Sequence, residues 1–117
     1  MTPEVRVLVV DDDAALRLLC RVNLEHAGFT VTEAATVSEA EAELAASPDL
    51  VLLDVHLGGD ESTGLLARVH DAHIPVAVVT GSVDVAEYRE LADAVLSKPF
   101  APGKLVEIAR RLARVAE

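Results

Sequence analysis

Four places in this chain carry residue types that suit phosphate chemistry. Asp11, Asp12 and Asp13 stand in a row after one apolar run, and Asp54 closes a second. Thr80 closes a third, and Lys98 follows a fourth. Carboxylates brought together repel one another, and such a cluster is costly unless a hard cation neutralises it. Mg²⁺ is the natural candidate, because it prefers oxygen ligands and keeps several waters. A lysine ammonium adds compact positive charge, and a threonine hydroxyl can donate to an anionic oxygen. Together these groups suit a phosphoryl group, whose oxygens the cations neutralise while one carboxylate serves as nucleophile. Plainer roles exist for each. Asp13 is the member of the run that a helix cap explains, whereas Thr80 and Lys98 gain their weight from the other residues. Asp54 is harder to dismiss, since an acid just past a buried strand is costly without a partner.

The elements that must position these residues alternate regularly. Val5 to Val10 is β-branched and nearly continuous, which reads as a buried strand stopped by the aspartates. From Ala14 to Ala27 the apolar Leu16, Leu19, Cys20, Leu24 and Ala27 recur at helical spacing, and Gly28 stands where a C-cap glycine belongs. Phe29 to Thr32 reads as a short strand nearer an edge. Thr36 to Glu39 is a capping box that opens a helix to about Ala46. A second buried strand covers Asp49 to Leu53 and ends at Asp54. A helix over Leu65 to Asp71, a strand over Ile74 to Val79 and a short polar helix over Val85 to Leu91 follow. Ala94 to Leu96 is a brief strand, and Leu105, Ile108, Ala109 and Leu112 mark a final helix. Strict alternation with continuous apolar strands predicts an α/β domain: a parallel five-stranded sheet covered on both faces, doubly wound and flavodoxin-like, in the order 2-1-3-4-5. Sites in such sheets lie beyond the carboxyl ends of the strands, where the aspartates, Thr80 and Lys98 fall.

The 117 residues suffice for one domain, and the 51% hydrophobic content suffices for a core. A formal net charge of −10 argues against nucleic acid and anionic membranes as direct partners. The lone Cys20 excludes an internal disulfide framework and fits a reducing compartment. No secretory signal or membrane-length apolar run is visible, so a cytoplasmic setting is expected. His26, His70 and His73 lack metal-ligand spacing with one another and read as surface residues, while Cys20 reads as core.

Val9-Val10-Asp11-Asp12-Asp13, Asp49-Leu50-Val51-Leu52-Leu53-Asp54, Val79-Thr80-Gly81 and Ser97-Lys98-Pro99-Phe100 resemble, in order and placement, the receiver domain of two-component response regulators. The likeness spans essentially the whole chain, read as one receiver domain over 1–117. It implies that Asp54 is the phosphoacceptor, fed by a sensor histidine kinase or a histidine phosphotransfer protein. It implies Asp12 as a direct Mg²⁺ ligand, Asp11 as a ligand through water, and Asp54 with the main-chain carbonyl of His56 completing the metal contacts. Thr80 resembles the switch hydroxyl and Lys98 the lysine that pairs with the phosphoryl group, with Lys98-Pro99 often cis in the family. The output is expected to be a protein-binding surface for a downstream protein that the sequence does not identify, rather than an enzyme activity.

Departures from the family pattern lie on the output side. Gly58 replaces a usual proline, eighteen positions separate Thr80 from Lys98, and Val95 stands where many receivers carry an aromatic. The Thr-Gly pair and Leu-Gly-Gly loop look similar to a receiver subfamily with a short or irregular fourth helix. Two other functions compete. A phosphatase of the haloacid dehalogenase type also uses aspartate, hydroxyl, lysine and Mg²⁺, but carries a second acid two positions after its nucleophile, where this chain has His56. A phosphorylation-independent interaction scaffold is the other.

Overall fold

The structure is a computed structural model describing residues 4–55, 62–81 and 90–116. The expected polar helix over Val85 to Leu91 falls largely outside the described residues, so the expectation of a short fourth helix is not addressed. His56 and the glycine-rich loop up to residue 61 also lie outside them.

Five strands form one sheet: β1 (Arg6–Val10), β2 (Thr30–Ala34), β3 (Leu50–Asp54), β4 (Val76–Thr80) and β5 (Ala94–Ser97). Their order is β2-β1-β3-β4-β5, and every pairing is parallel. Four helices are described: α1 (Ala14–His26), α2 (Val37–Leu44), α3 (Ser62–Asp71) and α4 (Pro102–Ala116). This is the doubly wound, flavodoxin-like architecture that the alternation predicts.

The strands read as continuous apolar runs because both faces are covered. Val7, Val9, Leu50, Leu52, Val79 and Leu96 pack with Cys20 and Leu24 of α1 and with Leu105, Ile108 and Leu112 of α4. Their neighbours Leu8, Val10, Val51, Leu53, Val76 and Val78 pack with Ala40 of α2 and with Leu65, Leu66 and Val69 of α3. Side chains alternate across a strand, so β1, β2, β3 and β4 each contribute to both layers, while Ala94 and Leu96 of β5 join the first. A fully buried leucine contributes about 1.5–3 kcal/mol, and the two layers hold nine with under 2% exposure.

Element ends shift from the expected positions for local reasons. The Phe29 N–H is taken by Leu24 O at 3.0 Å in the turn that ends α1, so β2 begins at Thr30 and runs on to Ala34. Gly28, with φ of 102°, makes that turn. The Asp49 side chain accepts from Arg6 N at 2.8 Å, and β3 starts one residue later and includes Asp54. Pro75 lacks an N–H, and Ile74 N donates to Val69 O at 3.2 Å, so β4 starts at Val76. Helix α2 stops at Leu44 rather than Ala46, with Ser47 at φ 54° reversing the chain. Thr36 Oγ1 caps it, accepting from Glu39 N at 3.1 Å, while Glu39 Oε1 accepts from Ala35 N at 2.7 Å, one residue before the cap. Helix α3 begins at Ser62, three residues ahead of Leu65.

Leu19 corrects the expected core stripe of α1. It is 38% exposed, beside Leu18 at 58% and Val22 at 55%. The buried face of α1 is Cys20 and Leu24. His26, His70 and His73 are exposed, as their spacing suggests. No described helix is long and apolar enough to cross a membrane.

Candidate functional site

The site forms where the winding of the sheet reverses. β1 lies between β2 and β3, and Val10 pairs with Leu53, so Asp11 and Asp54 emerge side by side at the carboxyl ends. Asp11 is fixed to the neighbouring edge by its N–H, which donates to Ala34 O at 3.0 Å. Val9, Leu52 and Leu96 face the α1/α4 layer. Asp11, Asp54 and Lys98 come two residues later and share that face.

Lys98 bridges the two acids. Its Nζ stands 3.4 Å from Asp54 Oδ2 and 3.5 Å from Asp11 Oδ2. Both aspartates are only 3% exposed. The other Asp11 oxygen, Oδ1, accepts from Asp13 N at 2.9 Å. Asp13 itself is the α1 N-cap, with Oδ1 accepting from Ala15 N at 2.9 Å and Leu16 N at 3.4 Å. Of the three successive acids, one caps the helix and two turn toward the sheet end. Asp12 is exposed, and carboxylate oxygens of Asp11, Asp12 and Asp54 lie within 4.8 Å of one another.

Burial holds the Asp11 carboxyl above its ordinary value, and the nearby charges of Asp54 and Asp12 push the same way. The Asp13 N–H and the Lys98 ammonium oppose the shift. Three carboxylates against one ammonium leave two negative charges in excess, which one divalent cation balances. The donor set is all oxygen, as Mg²⁺ requires, so these residues fit that ion.

Thr80 is the last residue of β4 and is fully buried. Val76 and Val78 face the α2/α3 layer, and alternation puts Thr80 on that side. Thr80 and Lys98 therefore reach the strand ends from opposite faces of the sheet. Their main chains are tied, Lys98 N donating to Thr80 O at 2.8 Å. The Lys98-Pro99 peptide is cis. The structure thus brings Asp11, Asp12, Asp54 and Lys98 into one cluster, with Thr80 on the adjoining strand.

Sequence reasoning missed Arg17. Its Nη1 donates to the main-chain carbonyl of Asp11 at 2.7 Å, and its Nε donates to Glu33 Oε1 at 3.2 Å. A signal existed: helix side chains lean toward the N-terminus, so a long cation one turn inside α1 leans back toward the aspartate run. An apolar groove of about 370 Å³ adjoins the site, lined by Asp13, Leu16, Leu19, Lys98, Pro99 and Phe100. A larger groove of about 620 Å³ between α1 and α4 includes none of the site residues.

Residues 7–110 match the family described as the response regulator receiver domain. The C4-dicarboxylate transport transcriptional regulatory protein DctD of Rhizobium meliloti is 36% identical over 112 residues, covering 90% of this chain and 24% of that protein. The transcriptional regulatory protein ResD of Bacillus subtilis is 31% identical over 121 residues, 98% of this chain and 50% of that one. The chain thus spans about a quarter to a half of the length of these curated relatives. Among solved structures, a response regulator receiver domain protein (CheY-like) from Methanospirillum hungatei superimposes with a TM-score of 0.88 at 30% identity, over 97% of each chain. With most of its length matched, this chain belongs to the response regulator receiver domains.

Proposed function

We propose that this receiver, read as one domain over 1–117, accepts a phosphoryl group on Asp54 in a Mg²⁺-dependent step. The observation that carries the reading is the bridging Lys98 ammonium, 3.4 Å from a buried Asp54 carboxylate and 3.5 Å from a buried Asp11. An Asp54 carboxylate oxygen attacks phosphorus. The bond from phosphorus to the donor's imidazole nitrogen, or to the acyl oxygen of a small acyl phosphate, breaks, and the donor leaves with its electron pair. Asp12 directly, Asp11 through water, Asp54 and the main-chain carbonyl of His56 would hold the ion. Bound there, Mg²⁺ offsets charge on the transferring oxygens. Lys98 supplies the second cation for those oxygens, and Thr80 supplies a hydroxyl from the opposite face of the sheet.

The donor we propose is a sensor histidine kinase or a histidine phosphotransfer protein. The apolar groove beside Lys98 and the exposed Leu18, Leu19 and Val22 give a donor protein a surface next to the acceptor. The acyl phosphate draws Thr80 and Lys98 toward it. Because these residues end β4 and begin the turn into α4, the movement shifts a two-state equilibrium in the surface around β5 and α4 that binds a downstream protein. The chain's own chemistry is its phosphorylation and dephosphorylation, without turnover of a separate substrate.

Stoichiometry tests this reading. The account expects at most one phosphoryl group per chain, on a hydroxylamine-labile bond that Asp54→Ala lacks. Release of many equivalents of phosphate from p-nitrophenyl phosphate would instead make the chain a phosphatase.

A further inference from the structure

The turn that carries Asp11 and Asp12 is held from outside the site by side chains with no place in the reading above. Arg17 Nη1 donates to the Asp11 main-chain carbonyl at 2.7 Å. Its Nε is engaged by Glu33 Oε1 at 3.2 Å. The second Glu33 oxygen accepts from Arg21 Nη1 at 2.8 Å, and Arg21 Nε reaches Glu25 Oε2 at 3.3 Å. Arg17 and Glu33 are the sheltered members, with side chains 18% and 27% exposed. A guanidinium is planar and rigid, so one fixed by a carboxylate holds its remaining donors in a fixed direction.

The direction matters because the Asp11 carbonyl belongs to the peptide that joins Asp11 to Asp12. Pinning that oxygen sets the rotation of the peptide plane and therefore where Asp12, the next residue, places its carboxylate. The rest of Asp11 is already held, by its N–H to Ala34 O at 3.0 Å and by its Oδ1 from Asp13 N at 2.9 Å. We infer that Arg17, clamped by Glu33, is a positioning residue for the metal site: it orients the Asp11–Asp12 peptide so that both carboxylates face the cation. The inference rests on the metal-site reading above.

An electrostatic role for Arg17 predicts the opposite sign. A cation beside three aspartates weakens their hold on Mg²⁺, so losing it as a bare charge would tighten binding. Losing it as a positioning group would loosen binding.

The test titrates Mg²⁺ into the full chain by calorimetry, with thermal unfolding of the metal-free chain measured alongside. Arg17→Met is expected to bind Mg²⁺ roughly 10- to 100-fold more weakly, the usual cost of losing an outer-sphere support. Arg17→Lys is expected to fall between Arg17→Met and the native chain, because one ammonium keeps the charge without the two-sided planar fork. Affinity in Arg17→Met equal to or tighter than native overturns the inference. Should Arg17→Met fail to fold, Arg17→Lys decides: a severalfold loss at an unchanged metal-free Tm supports the inference, and native affinity overturns it. A native chain that binds no Mg²⁺ overturns the metal-site reading and this inference with it.

Discussion

Replacing Asp11 with asparagine sets stability against function in a way the geometry makes quantitative. At an effective dielectric constant of about 20, a unit charge pair 3.5 Å apart, the Lys98–Asp11 separation, is worth about 4.7 kcal/mol. The buried Asp54 carboxylate, within 4.8 Å of Asp11, costs at least about 3.5 kcal/mol, and the exposed Asp12 adds about 1 kcal/mol after solvent screening. These charges nearly cancel the Lys98 attraction, so burial, the largest influence on Asp11, decides the sign and sets the charged form at a net cost of about 2–3 kcal/mol. Asparagine keeps an oxygen for the Asp13 N–H, at a loss of about 1 kcal/mol for exchanging a charged acceptor for a neutral one. The metal-free Asp11→Asn chain should thus gain about 1–2 kcal/mol at neutral pH, a rise of roughly 4–8 °C in Tm for a domain of this size.

The pH dependence follows from the same elevation. The folded Asp11 carboxyl titrates above its ordinary value of 3.8, chiefly through burial, so the folded state binds the proton more tightly than the unfolded state. Native stability then falls as pH rises through that window, and the penalty stands in full above it. The advantage of Asp11→Asn should vanish below the ordinary value and reach its plateau near neutrality. Mg²⁺ narrows the gap: at ten times its Kd it stabilises the native chain by about 1.4 kcal/mol, and the variant gains less. Thermal unfolding from pH 3 to pH 8, with and without Mg²⁺, reads all of this. An Asp11→Asn chain less stable than native in metal-free buffer at pH 7 would refute the reasoning.

Other perturbations test other parts of the structure. Lys98→Met removes the ammonium from between two buried acids and should cost about 3 kcal/mol in metal-free denaturant titrations, partly recovered by Mg²⁺; no loss would mean that the bridge does not bear on stability. Burial, with Asp11 adding to it, pushes the Cys20 thiol up to about 11, so an alkylating reagent at pH 8 should label the unfolded chain and spare the folded one. His73, at φ 59° after α3, occupies a left-handed position without being glycine, and His73→Gly should add about 0.5 kcal/mol to the denaturation free energy.

Much of the architecture was legible because a parallel sheet buried on both faces leaves a plain signal. Leu50 to Leu53 cannot be a half-exposed strand, and the acids follow the apolar runs directly. Asp11, Asp12, Asp54 and Lys98 stand out because each sits one or two positions past such a run. What was not legible depends on groups that no pattern exposes. Ser47 and His73 follow their helices in left-handed turns without glycine, so the sequence pattern carries α2 two residues past its end at Leu44. Leu19 keeps helical spacing with Leu16, yet the helix turns it outward, because apolar periodicity cannot tell a core stripe from an exposed apolar patch. The Arg17 clamp joins α1 to β2 across sixteen positions, and only the fold brings Glu33 to it.

The central claim is that Asp54 accepts a phosphoryl group with Mg²⁺. Its most direct measurement is intact mass after incubation with acetyl phosphate and Mg²⁺, run beside an EDTA control and Asp54→Ala. The account predicts a gain of one phosphoryl mass in the native chain, absent with EDTA and absent in Asp54→Ala. No gain in the native chain, with a purified cognate kinase also failing to phosphorylate it, would contradict the account and leave an interaction scaffold in its place.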